Sequence, residues 1–212
     1  MALDTYAALK TSVTDWVARM DTKLVSHVDD FITLAEVRIW DRVRLRKGLS
    51  QNQTLTVLAG TSTAALPADF LGLHRIESAG LPRMVYASPD ELLDDTYAQV
   101  GTQTMYSIEG TTFLLGIAPS VDTDLTYSYY KRPAALSTAE GADLWLLLER
   151  PNIYLYASLL EAAVFMKEKG VDNAGKYGTL LDKAIADAHM ADNASKWPRG
   201  QRLQMRRVGA IR

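Results

Sequence analysis

Apolar positions along the chain change period twice, dividing it into helix, strand and helix again. Tyr6, Leu9, Val13, Trp16, Val17 and Met20 recur at the three- and four-residue spacing of one helix face. Asp4 or Thr5 can cap that helix by accepting N–H groups of its first turn. Phe31, Ile32, Ala35, Ile39 and Val43 form the stripe of a second helix over about 25–46. Ser26-x-x-Asp29 resembles a capping box at its start. Arg42, Arg44, Arg46 and Lys47 crowd its end, where cations suit the helix dipole, and Gly48 stops it.

The middle of the chain reads as strand. Residues 54–58 are short and β-branched, and Leu66-Pro67-Ala68-Asp69-Phe70 leads as a loop into a second run near 73–77. Ser88-Pro89-Asp90-Glu91 is a helix start, with Ser as cap and Pro at the first helical position. Runs at 105–108 and 111–115 flank Glu109-Gly110 and predict a hairpin. Residues 125–131 alternate Leu125, Tyr127 and Tyr129 against Thr126, Ser128 and Tyr130, a third strand. Helix returns at Pro151, and up to Met166 the only charged residue is Glu161, so this helix is buried nearly all round. A last helix over about 172–194 turns Tyr177, Leu181, Ala184, Ile185 and Ala188 inward.

These elements predict a mainly α chain, a bundle of four main helices with a small β lobe and an extended C-terminal arm. Residues 1–195 are expected to form one domain, helical over 1–48 and 150–195, with the β-containing insertion at 53–132. Residues 196–212 form the arm.

Composition narrows the function. The 212 residues are 48% hydrophobic and contain no cysteine, which excludes disulfide scaffolds, Cys-type zinc sites and thiol nucleophiles. No apolar run approaches the ~18 residues of a membrane span, and residues 1–6 lack the basic and apolar regions of a signal peptide. No membrane partner and a cytoplasmic origin are therefore expected. Charge is polarised. Lys196, Arg199, Arg202, Arg206, Arg207 and Arg212 lie in the arm with no acid among them, leaving 17 basic and 25 acidic residues in the body, a net of −8. Such polarity suits association with a partner or with further copies.

Catalytic patterns are incomplete. The stretch from Gly170 to Tyr177 nearly matches a phosphate loop, but Tyr177 replaces the hydroxyl residue that holds magnesium, and a helix rather than a strand precedes it. The segment from Gly60 to Ala64 lacks the second glycine of a nucleophile elbow. His27, His74 and His189 are remote from one another. Neither a catalytic residue nor a metal or cofactor is expected.

Three groups of residues remain as candidates. Glu161, alone in an apolar helix, calls for a partner such as Arg38 or Arg42, a candidate buried ion pair. Tyr127, Tyr129 and Tyr130 with Arg132 interleave aromatics and cations; strand tyrosines of this kind anchor sheets or interfaces, or stack single-stranded nucleic acid. The arm, with Trp197 among its cations, offers anchors for a partner's pockets.

Taken in order, the residues resemble the head–tail adaptor (connector) proteins of tailed, especially short-tailed, bacteriophages. The resemblance rests on Tyr6-x-x-Leu9 with Trp16, Phe31-Ile32-x-Leu34-Ala35-Glu36-x-Arg38-Ile39 and Leu66-Pro67-Ala68-Asp69-Phe70-Leu71. It continues through Ser88-Pro89-x-Glu91-Leu92, Tyr106-Ser107-Ile108-Glu109-Gly110 and Tyr129-Tyr130-Lys131-Arg132-Pro133. Leu136-Ser137, Trp145-Leu146-Leu147 and Pro151-x-x-Tyr154-x-Tyr156-Ala157-x-Leu159-x-Glu161-Ala162 complete it. It implies a structural virion protein at the head–tail junction, assembled in the host cytoplasm. Twelve copies would ring the channel beneath a portal protein, meet tail nozzle or other tail proteins below, and pass DNA without sequence-specific binding. The arm would grip the portal or a neighbouring copy. The alternative from composition is a nucleic-acid-binding regulatory protein using the same arm, which predicts steeply salt-dependent DNA binding.

Overall fold

The computed structural model describes residues 3–17, 22–78, 84–92, 105–139, 144–166 and 171–195. α1 (Tyr6–Val17) begins at Thr5, whose Oγ1 accepts the Ala8 N–H at 3.1 Å. The long second helix expected from the pattern is two helices, α2 (Thr22–Ser26) and α3 (Val28–Arg42), broken at His27. The Ser26 hydroxyl donates back to the Lys23 carbonyl, so it caps nothing, and the His27 Nδ1 lies 2.7 Å from an Asp30 oxygen instead. A 3-10 turn at Arg46–Gly48 leads into the strands.

The strands are more numerous than the sequence pattern implied. β1 (Leu49–Val57), β2 (Thr63–Ala65), β3 (Phe70–Ser78), β4 (Val85–Tyr86), β5 (Met105–Glu109), β6 (Thr112–Leu115) and β7 (Thr123–Lys131) form two sheets. One has the order β1-β7-β3 and the other β2-β6-β5-β4. The expected mainly α chain with a small three-stranded lobe is therefore corrected to a mixed α/β fold with sheets of three and four strands. The added strands, β2 and β4, are very short, and β1 begins before the expected 54–58. Residues 50–54 of β1 do not alternate, and β2 and β4 contain three and two residues, too few for a period to register. The β5–β6 hairpin turns at Gly110, whose φ of +59° favours glycine. β7 does not extend that hairpin but crosses to the other sheet, antiparallel to both β1 and β3. Leu55, Val57, Phe113, Leu115, Leu125, Tyr127 and Tyr129 from both sheets share one core.

α4 (Pro89–Leu92) opens on a reciprocal box, with the Ser88 N–H donating to Glu91 and the Glu91 N–H to the Ser88 hydroxyl. α5 (Trp145–Glu149), α6 (Pro151–Phe165) and α7 (Val171–Ala194) complete the chain as described. α6 buries Ile153, Tyr154, Leu155, Ala157, Leu159 and Ala162, so it forms the axis round which the other helices pack. Leu9 and Val13 of α1, Ile32, Ala35 and Ile39 of α3, and Leu181, Ala184, Ile185 and Ala188 of α7 close over it. Trp16, expected inward, is 52% exposed and meets Tyr156 edge-on. It lies three residues from Val13, at the rim of the stripe, whereas Val17 at four residues packs on the core.

Candidate interaction surfaces

The C-terminal end of α3 gathers cations, and the structure uses each of them internally. Arg38 donates from Nε to Glu161 Oε1 at 2.8 Å, and Arg42 donates to Asp182 of α7 at 2.5 Å. Arg46 reaches Asp192 and the hydroxyl of Ser195 at the end of α7, and Lys47 pairs with Glu149 of α5. Arg44 turns back to the Trp40 carbonyl. These side chains fasten α3 to the three helices that follow the sheets. A row of cations in sequence is thus a structural seam rather than a surface for polyanions.

Glu161 and Arg38 are brought together at the rim of the bundle rather than in its interior. The Glu161 side chain is 12% exposed and that of Arg38 41%. Among the described residues the deeply buried acid is Glu36, at 3% exposure. Its Oε1 accepts the Leu136 N–H at 2.6 Å, tying α3 to the segment that returns from the sheets. Burial raises its pKa above the ordinary carboxylate value, the backbone hydrogen bond opposing that only in part. The same carboxylate adds to the burial that raises the Tyr154 and Tyr6 phenols. The helical period was the available signal for Glu36, since 32, 36 and 39 share a face.

The tyrosine group divides. Tyr127 and Tyr129 are buried in the sheet core with their rings stacked at 5.3 Å, and the Tyr129 hydroxyl donates to Asp69 at 2.9 Å. Their faces are covered and offer no platform to a base. Tyr130 is half-buried with its ring against His74, while the Arg132 guanidinium lies over the Trp40 ring of α3 at 5.2 Å. Trp145 packs so closely on Gly48 that an added Cβ there would come within 3.2 Å of its ring. These two tryptophans and Arg132 hold the sheets to the helices. An open groove of about 370 Å³ runs beside them, lined by Lys47, Gly48, Leu49, Lys131, Pro133 and Trp145.

The remaining expectations fall as follows. Gly175, Lys176 and Tyr177 lie inside α7, so there is no phosphate loop there. Gly60 turns β1 into β2, with no helix to follow. Among the described residues no group of His, Asp and Glu could hold a metal ion, and no helix is long and apolar enough to cross a membrane. Lys196, Trp197, Arg199, Arg202, Arg206, Arg207 and Arg212 lie outside the described residues.

The ion pairs of α3 and of the turn after it thus tie the helices together, while Arg132, Trp40 and Trp145 join them to the sheets. The sequence matches the SU10 adaptor protein family over residues 4–206, nearly its whole length. The chain belongs to that family. It is a phage adaptor, a structural component of the virion. Membership implies contact with other phage head and tail components. No curated protein matches the chain.

Proposed function

We propose that the chain is a ring-forming head-to-tail adaptor. About twelve copies join the portal to the tail and prolong the DNA channel, retaining packaged DNA and conducting it on ejection. The arm at 196–212 docks each copy on the portal or on a neighbouring subunit, and tail nozzle or other tail proteins bind below. The observation that carries this reading is the family match across residues 4–206. Charge supports it as well: a body of net −8 disfavours adhesion of DNA to a channel wall, while six cations in the arm favour an acidic docking surface. The nucleic-acid-binding alternative rests on the same arm; the body adds little to it, because the cations from Arg38 to Lys47 are engaged within the chain and Tyr127 and Tyr129 are buried.

Electron microscopy of the chain mixed with the portal of its phage tests the proposal. The expected result is a closed ring of added density coaxial with the portal channel. Portal particles that gain no density would reject it, and tight, steeply salt-dependent DNA binding by the isolated chain would favour the alternative.

A further inference from the structure

One end of the sheets carries a knob of aliphatic side chains. Leu58, Ile117 and Val121 are 57%, 58% and 67% exposed, the first on the loop after β1 and the others on the loop from β6 to β7. The two loops are tied to each other. The Gly60 N–H donates to the Pro119 carbonyl at 2.8 Å and the Ala59 N–H to Asp122 Oδ1 at 2.8 Å, and Gly60 has a φ of +74° that favours glycine. Asp122 and Asp124 flank the knob and are exposed, Asp124 accepting the Thr56 hydroxyl through Oδ1. The knob is therefore aliphatic with an acidic flank, and its cross-ties lower the ordering cost of binding it. The groove of about 370 Å³ beside Trp145 has the opposite character in charge. Leu49, Pro133 and Trp145 give it apolar walls, Lys47 and Lys131 supply cations, and among the described residues no acid lines it. Lys47 pairs with Glu149, but both are about half exposed, so Lys47 can turn to a further carboxylate at little cost.

We propose that the knob of one copy seats in the groove of the next, a head-to-tail contact between copies of this chain. Placement selects a second copy as the occupant. β1 starts at Leu49 in the groove and stops at Val57 before the knob, and β7 starts at Thr123 after the knob and ends at Lys131 in the groove. These strands hold the two features about 26 Å apart, at about 3.3 Å per residue. A knob therefore cannot reach the groove of its own chain, and each copy presents both halves of the contact at opposite ends of one sheet. Charge selects the pairing. Two knobs meeting would set Asp122 and Asp124 against the same carboxylates, and two grooves would set lysines against lysines. Knob on groove instead brings carboxylates to cations and aliphatic side chains to Trp145 and Pro133. Such a contact joins different patches on two copies, so it is heterologous and repeats until its rotation closes a ring. The inference rests on the ring reading and names the contact that would build it.

Because the protein has no cysteine, single introduced thiols report the contact between chains. Full-length Val121→Cys, with its thiol on the knob, is mixed at high concentration under mild oxidant with full-length Gln51→Cys, with its thiol on the groove. The mixed disulfide should form about tenfold faster than either variant joins to itself, because docking raises the local concentration of the matched thiols. Leu58→Ser with Ile117→Ser, added to the knob variant, should remove that advantage. Asp122→Asn with Asp124→Asn keeps the acceptor oxygens and discards the charges, and should reduce the advantage several-fold. All the substituted side chains are exposed, so melting by circular dichroism should match the parent. A mixed disulfide that forms no faster than the symmetric ones would overturn the proposal, and so would an advantage that survives both sets of substitutions. Either failure beside ring density on the portal would overturn this contact and leave the ring reading in place. A favoured mixed disulfide without ring density would support the contact and count against the ring.

Discussion

Replacing Glu36 tests how the helices are joined to the segment returning from the sheets. Glu36→Ala removes the acceptor of the Leu136 N–H, a bond of 2.6 Å between buried groups. The orphaned donor costs about 1–3 kcal/mol, and the vacated volume adds to that. Relief from burying a carboxylate offsets part of the loss, and the offset grows with pH. The sign follows from the raised pKa of Glu36. Between the ordinary value and the raised one the folded chain holds a proton that the unfolded chain has released. Stability from this group is therefore fully present below the ordinary carboxylate value and declines as pH rises through that window, by about 1.4 kcal/mol for each unit crossed. At pH 4 the protein should exceed Glu36→Ala by about 2–3 kcal/mol, or roughly 4–12 °C in melting temperature for a chain of this size. Glu36→Gln retains an acceptor oxygen without the titration, so its advantage over the parent should grow from pH 4 to 8. Thermal melts by circular dichroism across that range measure both. A parent and a Glu36→Gln variant whose difference is independent of pH would refute the buried titrating carboxylate, and an Ala variant as stable as the parent at pH 4 would refute the tie to Leu136.

Three smaller perturbations follow from the same geometry. Arg38→Ala should cost about 1 kcal/mol, because the pair with Glu161 sits at the rim; a loss of 3–5 kcal/mol in melting experiments would assign it to the interior after all. Tyr129→Phe should cost about 1 kcal/mol through the bond to Asp69, and Tyr129→Ala about 3–5 kcal/mol through the shared core of the sheets, measured by urea titration. A chain ending at Ser195 should melt within a degree or two of the full chain, since α7 closes at Ala194; a cooperative loss of folding would show that the arm belongs to the core.

What was legible followed the strength of local signals. The α6 helix is apolar on every side, and the β5–β6 hairpin has its Gly110 turn, so both could be read directly. The partner of β7 could not be read, because its pairing with β1 joins residues some seventy positions apart and alternation is silent about which strand lies alongside. The break at His27 carries neither glycine nor proline, and the apolar period runs across it with little disturbance. Chemistry was harder than fold. A lone acid in an apolar helix pointed to Glu161, yet the more deeply buried carboxylate is Glu36, in a helix whose many polar residues mask it. The cations from Arg42 to Lys47 could satisfy the helix dipole locally; their contacts with residues about a hundred or more positions away need the tertiary structure.

These contacts bear on how an adaptor can transmit load. α3 is fixed to α6 by packing, to α5 and α7 by ion pairs at its end, and to the returning segment by Glu36. Arg132 over Trp40 then couples it to the strand that centres the three-stranded sheet. Side chains of α3 and the turn following it therefore touch both halves of the chain. A force applied to the sheets reaches the helices through Trp40, Glu36 and the packing of Trp145 on Gly48. Exposed ion pairs alone would make a weak joint, since each contributes little and is screened by salt. The buried Glu36 bond and the packed tryptophans are less accessible to salt. The joint should hold at ionic strengths that would loosen a docked basic arm, so salt can separate detachment from a partner and loss of the subunit's own architecture.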